Sequence, residues 1–497
     1  MNHSTINIQT QTSNVRRASL EKLPGRRVLN VECSMFLAIL IFIAGCATYH
    51  SQPIAPQETA ATFDTRSFTN ENLHAFLETN HITGEWPRRS WDLNALTFVA
   101  FYYQPALAEA RAHWASVQAA EITAGERPNP SVSVTPGYDS QIPGNFSPWL
   151  VTASLDVPIE TAGKRGKRMA EAGHLSEAAY WNFVASAWQT RSQVRAALFN
   201  FYAARESASL LARQESAQSN VVRLLQGQLA AGAVSDFEVT QARVALETTE
   251  LTREDAEGQR RQARIQLANA LGLPLRALDG IRLSFAGLDQ FPRQLTKPEV
   301  RRQALWNRAD VRGALAEYAA SQSALQLEIA NQYPDIHLGP GYGWNTGSAG
   351  DNEWTLGLTV TLPVLNQNQG PIAEAKAKRA EAAAHFLAVQ TAAIAEIDSA
   401  LAGYNAALKK SATATALLQD SRRQQDSVRA QVRTGETEPL ALANADVEYN
   451  TVAQSRLDAL IRGQQALGQL EDAVQSPLTL PPSVLGAAEH NFSKDSK

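Results

Sequence analysis

Two short segments of the chain alternate between apolar and polar residues. Period-two alternation places side chains on opposite faces of a strand, so each segment predicts a β-hairpin with one apolar face. The hairpins are predicted over residues 131–158 and 335–363. The apolar positions are Val132, Val134, Val151, Ala153, Leu155 and Val157 in the first and Ile336, Leu338, Pro340, Tyr342, Trp354, Leu356, Leu358, Val360 and Leu362 in the second.

Long alanine-rich segments flank these strands, and their apolar residues recur every three or four positions. This spacing is typical of helices that pack through a narrow stripe, here Val194, Ala197, Phe201, Ala204, Ala208 and Leu211. Long helices of roughly 100 Å, at 1.5 Å per residue, are predicted over 166–231 and 371–433. Shorter helices are predicted over 93–127, 236–270, 300–332 and 439–474. Two short helices stacked end to end match one long helix, so we expect each long helix to lie beside such a stack.

The second half of the chain repeats the plan of the first half. Pro130 returns as Pro334 and Gly232 returns as Gly435, at offsets of 204 and 203 residues. A duplication of this kind is typical of a quasi-symmetric wall or tube rather than of an enzyme built around one pocket. The predicted organisation is an extended arm over 46–92, two structural repeats over 93–290 and 291–476, and a tail over 477–497.

The expected fold is therefore mainly α-helical with a small β part. In lipid, the two unpaired edges of a four-stranded sheet cost several kcal/mol per unsatisfied backbone group. Closed barrels need about eight strands or more, so the four strands of one chain cannot close a barrel alone. Two, three or four copies of the chain would supply about 8, 12 or 16 strands. An aromatic girdle is expected at the loop-proximal strand ends, from Trp149, Trp344 and Trp354. A soluble, half-buried hairpin is the alternative interpretation.

The N-terminal segment has the pattern of an export signal. A basic region ending at Arg27 precedes an apolar run that is too short to span a bilayer stably. The run leads into Ala44-Gly45-Cys46, which resembles the lipobox of bacterial lipoproteins. We therefore expect residues 1–45 to be a signal peptide and Cys46 to carry lipid, with an ordinary cysteine in a signal anchor as the alternative. Cys33 would leave with the leader, so no disulfide or thiolate metal site is expected.

Charge and motif content exclude several function classes. The net charge is −4, which does not suit a nucleic-acid-binding protein, because such proteins need a basic face. The nine histidines do not fall at i, i+4 or beside a carboxylate in ligand spacing, so no metal site is predicted. No nucleophile elbow, phosphate-binding loop or dinucleotide-binding motif is present. We therefore predict no catalytic residue and no cofactor.

Acidic residues cluster at the two predicted helical turns. Glycine tolerates positive φ, so Gly232 and Gly435 are expected to permit the chain reversals. A ring of carboxylates repeated around a symmetry axis would concentrate cations. Charges that complement the dipole at a helix N-terminus are the equal alternative. The candidate ring consists of Asp236, Glu238, Glu436 and Glu438, with Asp446 nearby.

Basic residues cluster where the first hairpin gives way to the long helix. A cationic collar of Lys164, Arg165, Lys167 and Arg168 would meet lipid phosphates at the membrane surface. A solvated first turn of the helix is the alternative.

Two motifs carry a resemblance to a known family over nearly all of the mature chain. They are the strand-to-helix junction from Val157 to Gly166, and the turn from Ala231 to Arg243. Together with the duplicated helix–hairpin–helix plan, they resemble the TolC-type outer-membrane efflux family, and most closely its heavy-metal branch. The stretch from Glu438 to Asp446 departs from the family, because it lacks the paired aspartates found at the closed tip in some relatives.

This resemblance implies a trimer with a shared 12-stranded outer-membrane barrel and a helical tunnel in the periplasm. It also implies docking on a periplasmic membrane-fusion adaptor and an inner-membrane pump of the RND type. The tip and adaptor contact would include Gly232, Ser235, Asp236, Gly435 and Pro439.

We expect a passive, lipid-anchored outer-membrane conduit for metal cations. Drugs, organic toxicants or a type I secretion substrate are the alternatives within the same class. From other classes, a structural periplasmic coiled-coil lipoprotein remains open, whereas a lipoprotein enzyme is disfavoured by the missing catalytic constellation.

Overall fold

The computed structural model describes most of the chain. The described residues are 47–82, 84–138, 140–141, 148–292, 301–302, 304, 306–345 and 353–478. The chain divides into two units, residues 1–61 and 62–497. The described part of the first unit is largely exposed and contains the start of helix α1 (Pro56–Thr65), none of whose residues is buried.

The second unit is dominated by helices. Those of its first half are α2 (Glu71–Thr79), α3 (Leu93–Tyr103), α4 (Pro105–Gly125), α5 (Lys164–Ala230) and α6 (Asp236–Leu271). Those of its second half are α7 (Ala309–Ala330), α8 (Gln369–Thr434) and α9 (Pro439–Val474). The long helices α5 and α8 begin and end within two residues of the predicted bounds.

Each long helix lies beside a pair of shorter helices, as the lengths predict. Helices α4 and α6 pack on α5, and helices α7 and α9 pack on α8. The stack in the first half closes where the side-chain amide of Gln104 donates to the carbonyl oxygens of Asn269 and Ala270, at 2.7 and 2.8 Å. Helix α5 also packs on α7 and α9, so it joins the two halves.

The prediction of one continuous helix over 93–127 is wrong. Gln104 adopts an extended conformation (φ −71°, ψ 119°) because Pro105 disfavours helical geometry in the residue before it. The prediction of one continuous helix over 300–332 is wrong in the same way, because Arg308, 204 residues after Gln104, interrupts it (φ −66°, ψ 122°) without a proline. Its guanidinium instead bonds Asp310, Glu396 and the carbonyl oxygen of Ala473, and thereby holds the break through tertiary contacts.

The prediction of an extended arm over 46–92 is also wrong for its second half. Phe68, Leu73, Leu77 and Trp91 are fully buried and belong to the largest apolar cluster of the second unit. The amide of Trp91 donates to the carbonyl oxygen of Arg282 at 2.9 Å. The pattern is hard to detect because α2 has only nine residues, too few for helical periodicity to recur.

The apolar core is concentrated where the stacked helices meet. The largest cluster includes Leu96, Phe98, Leu198 and Leu267, and a second cluster around Tyr404 joins α8 to α9. Elsewhere the helices are held by the predicted stripe. Its members Val194, Ala197, Ala208 and Leu211 are buried, whereas Phe201 and Ala204 are half-buried.

The two hairpins join into one antiparallel sheet. The strands are β1 (Ser131–Tyr138), β2 (Trp149–Ile159), β3 (Ile336–Asn345) and β4 (Glu353–Val360), in the order β1-β2-β3-β4. Strand β2 pairs with β3 from Leu150↔Asn345 to Ile159↔Ile336, so the first repeat is bonded to the second. Each of β1 and β4 pairs on one side only within the described chain.

Candidate functional site

One face of the sheet is apolar across all four strands. The registers align Val134 with Ala153, Ala153 with Tyr342, and Tyr342 with Trp354, so the alternating residues share one side. We define this apolar face by Val132, Val134, Tyr138, Trp149, Val151, Ala153, Leu155, Val157, Ile336, Leu338, Tyr342, Trp344, Trp354, Leu356, Leu358 and Val360. Many of its large side chains are exposed, among them Trp354, Leu356 and Leu358. A large exposed apolar surface of this kind needs an apolar environment.

The opposite face is mainly polar, and most of its residues are small. It carries Ser131, Ser133, Thr135, Gly137, Leu150, Thr152, Ser154, Asp156, Pro158, His337, Gly339, Gly341, Gly343, Asn345, Glu353, Thr355, Gly357 and Thr359. A Cβ atom at Gly341 would lie 2.6 Å from the Thr355 hydroxyl, so glycine permits close strand approach there. The described strands carry carboxylates at Asp156 and Glu353 and no lysine or arginine. This face therefore offers a smooth polar surface without fixed positive charge.

The three predicted girdle tryptophans lie on the apolar face, at the end of the sheet away from the helices. Trp149 pairs with Tyr138, and their rings make an edge contact with centroids 5.2 Å apart. Trp354 pairs with Tyr342, and the centroids of their rings are 4.7 Å apart. Trp344 pairs with Val151. Tyrosine and tryptophan favour the boundary between lipid tails and water, so this cluster has the composition of a membrane interface.

Four described histidines lie within 4.0 Å of a carboxylate, contrary to the sequence prediction. Two of these contacts are long, His174 with Glu177 at 3.9 Å and His385 with Glu317 at 4.0 Å. Nδ1 of His337 lies 3.0 Å from Asp156 across β2 and β3 on the polar face. His74 lies 3.2 Å from Glu78 on the exposed side of α2. No group of three or more potential metal ligands occurs among the described residues.

The predicted cationic collar is wrong for most of its members. Lys164 is buried and donates to Asp335 at 2.8 Å, and Arg168 pairs with Glu160. Arg165 donates to the carbonyl oxygen of Gly125 at 2.6 Å, which caps the end of α4. These cations fasten the strand-to-helix joint instead of facing phosphate. Lys167 has no carboxylate within salt-bridge distance among the described residues.

Asp335 ties this joint to the second repeat. Its Oδ1 accepts hydrogen bonds from Lys164 and from the amide of Thr161, at 2.8 and 3.0 Å. Burial would raise the pKa of Asp335, but these hydrogen bonds outweigh it and hold the pKa below its ordinary value. The carboxylate is therefore ionised at neutral pH and links the β2–α5 junction to the start of β3.

The two helical turns contain the residues predicted for the tip. Gly232 and Gly435 have φ of 74° and 78°, with open space where a Cβ would lie, so glycine is required by backbone conformation and not by crowding. Ser235 is the N-cap of α6, and Asp236 is the first helical residue. Pro439 is the first residue of α9, where its missing N–H has no helical acceptor.

The two turns lie side by side. The side-chain amide of Gln228, near the end of α5, donates to Glu438 at 3.0 Å, which joins the turns of the two repeats. Glu238 accepts a hydrogen bond from the amide of Ser235 at 2.9 Å, so it caps its own helix. Asp236 and Glu436 are exposed and have no ion pair among the described residues. The helix-dipole interpretation therefore fits Asp236 and Glu238, in the first turn of α6, and Glu438, the N-cap of α9, whereas Glu436 lies outside both helices.

Phe237, in the first turn of α6, is a feature that sequence reasoning missed. Its side chain is 75% exposed beside Asp236. The available signal was an aromatic residue in an otherwise polar first turn. A large exposed ring at the end of a helical hairpin is typical of a contact surface for another protein.

A buried ionic cluster was also missed. Arg191 on α5 is 3% exposed and lies 3.2 Å from Glu471 on α9, which is 1% exposed. Arg195 lies 3.3 Å from the same carboxylate and donates to Gln464. Burial lowers the pKa of Arg195, although nearby Glu471 opposes the shift. The detectable signal was the occurrence of two arginines within the apolar stripe of α5.

The predicted lipidation residue, Cys46, lies outside the described residues.

A family model described as "Outer membrane efflux protein" matches residues 102–273 and 300–474 of the chain. The two matched segments coincide with the two repeats. The cobalt-zinc-cadmium resistance protein CzcC of Cupriavidus metallidurans is 27% identical over 237 residues. That alignment covers 48% of this chain and 56% of the relative, so it spans about half the length of each protein.

Three solved structures share the fold. The outer membrane protein VceC of Vibrio cholerae has a TM-score of 0.61 at 19% identity, covering 77% of this chain and 95% of that one. CusC has a TM-score of 0.62 at 17% identity, covering 79% and 94%. The open-state MtrE outer membrane channel of Neisseria gonorrhoeae has a TM-score of 0.61 at 19% identity, covering 77% and 88%. The resemblance of the sequence to the TolC-type channels is thereby confirmed at the level of the fold.

Proposed function

Because the chain belongs to the outer membrane efflux protein family, we propose that it forms, with two identical copies, the outer-membrane channel of a tripartite efflux system. In this assembly the chain is a passive conduit between the periplasm and the exterior. The energy for transport comes from an inner-membrane partner.

The apolar face of the sheet carries this proposal. It is continuous over four strands, its large side chains are exposed, and both sheet edges lack a partner within the described chain. In lipid, the unpaired edges require closure, because each unsatisfied backbone group costs several kcal/mol. Three copies supply about 12 strands, enough for a closed barrel with a water-filled interior. The apolar face then contacts lipid, and the polar face lines the pore.

The helices of one chain also present apolar surface suited to neighbouring copies. Large apolar side chains remain exposed on α6, α7 and α8, including Leu251, Leu315 and Leu387. Helix α8 has an 18-residue window with a mean hydropathy of 1.2, of which 22% is buried. We attribute this window to lateral packing in the assembly, because the helix continues for 66 residues and packs on α7 and α9.

The proposed orientation of the chain in the outer membrane follows from its sheet at one end and its helical turns at the other. The tryptophan-bearing end of the sheet faces the exterior, and the helices project into the periplasm. Lipid on Cys46 would fasten the N-terminus to the outer membrane. The helical turns at Gly232 and Gly435 would then form the periplasmic tip. A membrane-fusion adaptor would dock there, using Phe237, Ser235 and Pro439, and connect the tip to an RND-type pump.

Metal cations are the proposed substrate. The described strands place no lysine or arginine on the polar face, and Asp236 and Glu436 are exposed at the tip. Both features favour the passage of cations. The partial similarity to a cobalt-zinc-cadmium resistance protein supports the same substrate class.

The test uses the full-length, lipidated chain purified in detergent. We expect a heat-resistant oligomer with the mass of three copies, ion-conducting pores in planar bilayers, and zinc, cobalt or cadmium sensitivity of cells that lack the chain. Sensitivity to organic toxicants alone would transfer the proposal to that substrate class. A stable monomer that needs no detergent after removal of the acyl chains would leave a structural lipoprotein as the function.

A further inference from the structure

We propose that His337, oriented by Asp156, is a metal-cation ligand on the pore wall that transition-metal ions occupy transiently during export. This inference rests on the proposed channel function and names a binding site for the exported metal ions. The two residues come from different repeats and meet only because β2 pairs with β3.

The contact has the arrangement that prepares an imidazole for metal binding. Nδ1 of His337 lies 3.1 and 3.0 Å from the two carboxylate oxygens of Asp156. An ionised carboxylate only accepts hydrogen bonds, so this contact places the ring proton on Nδ1. The lone pair then lies on Nε2, which is the atom that binds metal when a carboxylate holds the other nitrogen.

The surroundings leave this nitrogen accessible to an ion. His337 is 39% exposed in the single chain and lies on the polar face, opposite Thr359 and two positions from Gly339. In the strand register His337 is flanked by Pro158 and Thr359, and the next pair on this face, Gly339 and Gly357, carries no side chain. The four described strands contain three residues with good metal-ligating groups, Asp156, His337 and Glu353. Two of these three are in contact.

The chemistry of the pair selects a class of ion. Imidazole suits zinc, copper, iron and nickel, whereas magnesium and calcium favour oxygen ligands. A single imidazole, with water completing the coordination, binds weakly compared with a full protein ligand set. Weak binding suits a conduit, because an ion must enter the site readily and also leave it. Three copies would place three such ligands around one level of the barrel.

A purely structural role is the competing explanation, since the same hydrogen bond also joins the two repeats. The two roles differ in their response to metal. A structural pair affects assembly but not the sensitivity of the current to zinc, whereas a ligand affects zinc sensitivity even when assembly is intact.

The experiment measures potassium current through the full-length channel in planar bilayers while Zn²⁺ or Mg²⁺ is added. For the wild type, we expect Zn²⁺ to reduce the current at least about tenfold more potently than Mg²⁺, since only Zn²⁺ favours imidazole. His337→Gln should remove this difference. Asp156→Asn should weaken the Zn²⁺ effect by about 10- to 100-fold, as expected when an orienting partner is lost.

His174→Gln is the matched control. This histidine is equally exposed, at 39%, and lies 3.9 Å from Glu177 on α5. It should retain the zinc sensitivity of the wild type. Equal zinc sensitivity in wild type, His337→Gln and Asp156→Asn would overturn the assignment, as would a wild type that does not distinguish Zn²⁺ from Mg²⁺. If His337→Gln does not assemble, Asp156→Asn alone decides. A wild type that forms no pore would instead contradict the proposed function.

Discussion

At the scale of single residues, the most informative feature is a cluster of buried charged side chains within the apolar contact between α5 and α9. Arg191 and Arg195 on α5 share the carboxylate of Glu471 on α9. Glu471 also accepts a hydrogen bond from the amide of Leu478 at 3.0 Å. Buried charges are tolerated only when they are paired and hydrogen-bonded. This cluster therefore fixes one relative position of the two repeats near the meeting point of the stacked helices.

We predict that Glu471→Gln destabilises the protein by about 3–5 kcal/mol, because it removes the only carboxylate in salt-bridge distance of the two buried guanidinium groups among the described residues. Denaturant unfolding of the detergent-solubilised protein, followed by circular dichroism, measures this loss. The control is Glu254→Gln, which removes an exposed carboxylate 3.2 Å from Arg253. The control should change stability by less than about 1 kcal/mol, as exposed pairs do. If the two variants have similar free energies of unfolding, the buried cluster contributes no more to stability than an exposed ion pair does.

At the scale of secondary-structure elements, the duplication reproduces positions even where the sequence changes. The break before α4 depends on a proline, whereas the equivalent break before α7 is held by the side chain of Arg308. In both repeats the same kind of contact follows, because a polar side chain at the break reaches the carbonyl groups at the end of the neighbouring helix. The stacked helices are therefore arranged in the same way in both repeats, although different residues produce the arrangement.

The two faces of strand β4 lead to a prediction at this scale. Leu356→Arg on the apolar face should impair folding into the membrane, by about 2–4 kcal/mol if the position lies near the bilayer midplane. Thr355→Arg changes the adjacent residue on the polar face and should leave insertion intact while lowering cation conductance. The measurements are the yield of heat-resistant oligomer and single-channel conductance. If Thr355→Arg fails to insert and Leu356→Arg inserts, then the polar face contacts lipid and the assignment of the two faces is wrong.

At the scale of the whole molecule, the two similar helical turns of each chain would contribute to one tip of the proposed assembly. Gln228 and Glu438 join these turns within the chain. Around a threefold assembly, Asp236 and Glu436 would each recur as a ring of three, at positions that the 203-residue offset does not relate, because Asp236 corresponds to Pro439. A local helix-dipole contact requires no such ring, so an assembled channel can separate the two roles of these acids.

We predict that the double variant Asp236→Asn with Glu436→Gln lowers the cation selectivity of the channel, because it removes the exposed negative charge at the entrance. The reversal potential of planar bilayers under a salt gradient measures this selectivity. Glu71→Gln serves as the control, since α2 packs on α3, and α3 ends beside the C-terminal end of α6, roughly 50 Å from the turn at Gly232 at 1.5 Å per residue. An unchanged reversal potential in the double variant would leave these acids as helix caps only.

The sequence by itself determined the elements that depend on local periodicity. Alternation identified both hairpins and their apolar positions, and the absence of proline identified the long helices α5 and α8. The repeated prolines and glycines also identified the duplication and the turn residues at Gly232 and Gly435. Each of these features depends on interactions between residues that are near one another in the chain, so the pattern is present in the sequence itself.

Only the tertiary structure decided which distant polar residues meet. His337 contacts Asp156 across 181 residues, and Arg191 contacts Glu471 across 280. The first contact depends on the register between β2 and β3, and the second on how α9 lies along α5. The same dependence assigned Lys164 to Asp335 instead of lipid, and placed Phe68 and Trp91 in the core. Periodicity specifies which face of an element is apolar, but it does not specify which element lies against that face or at what offset.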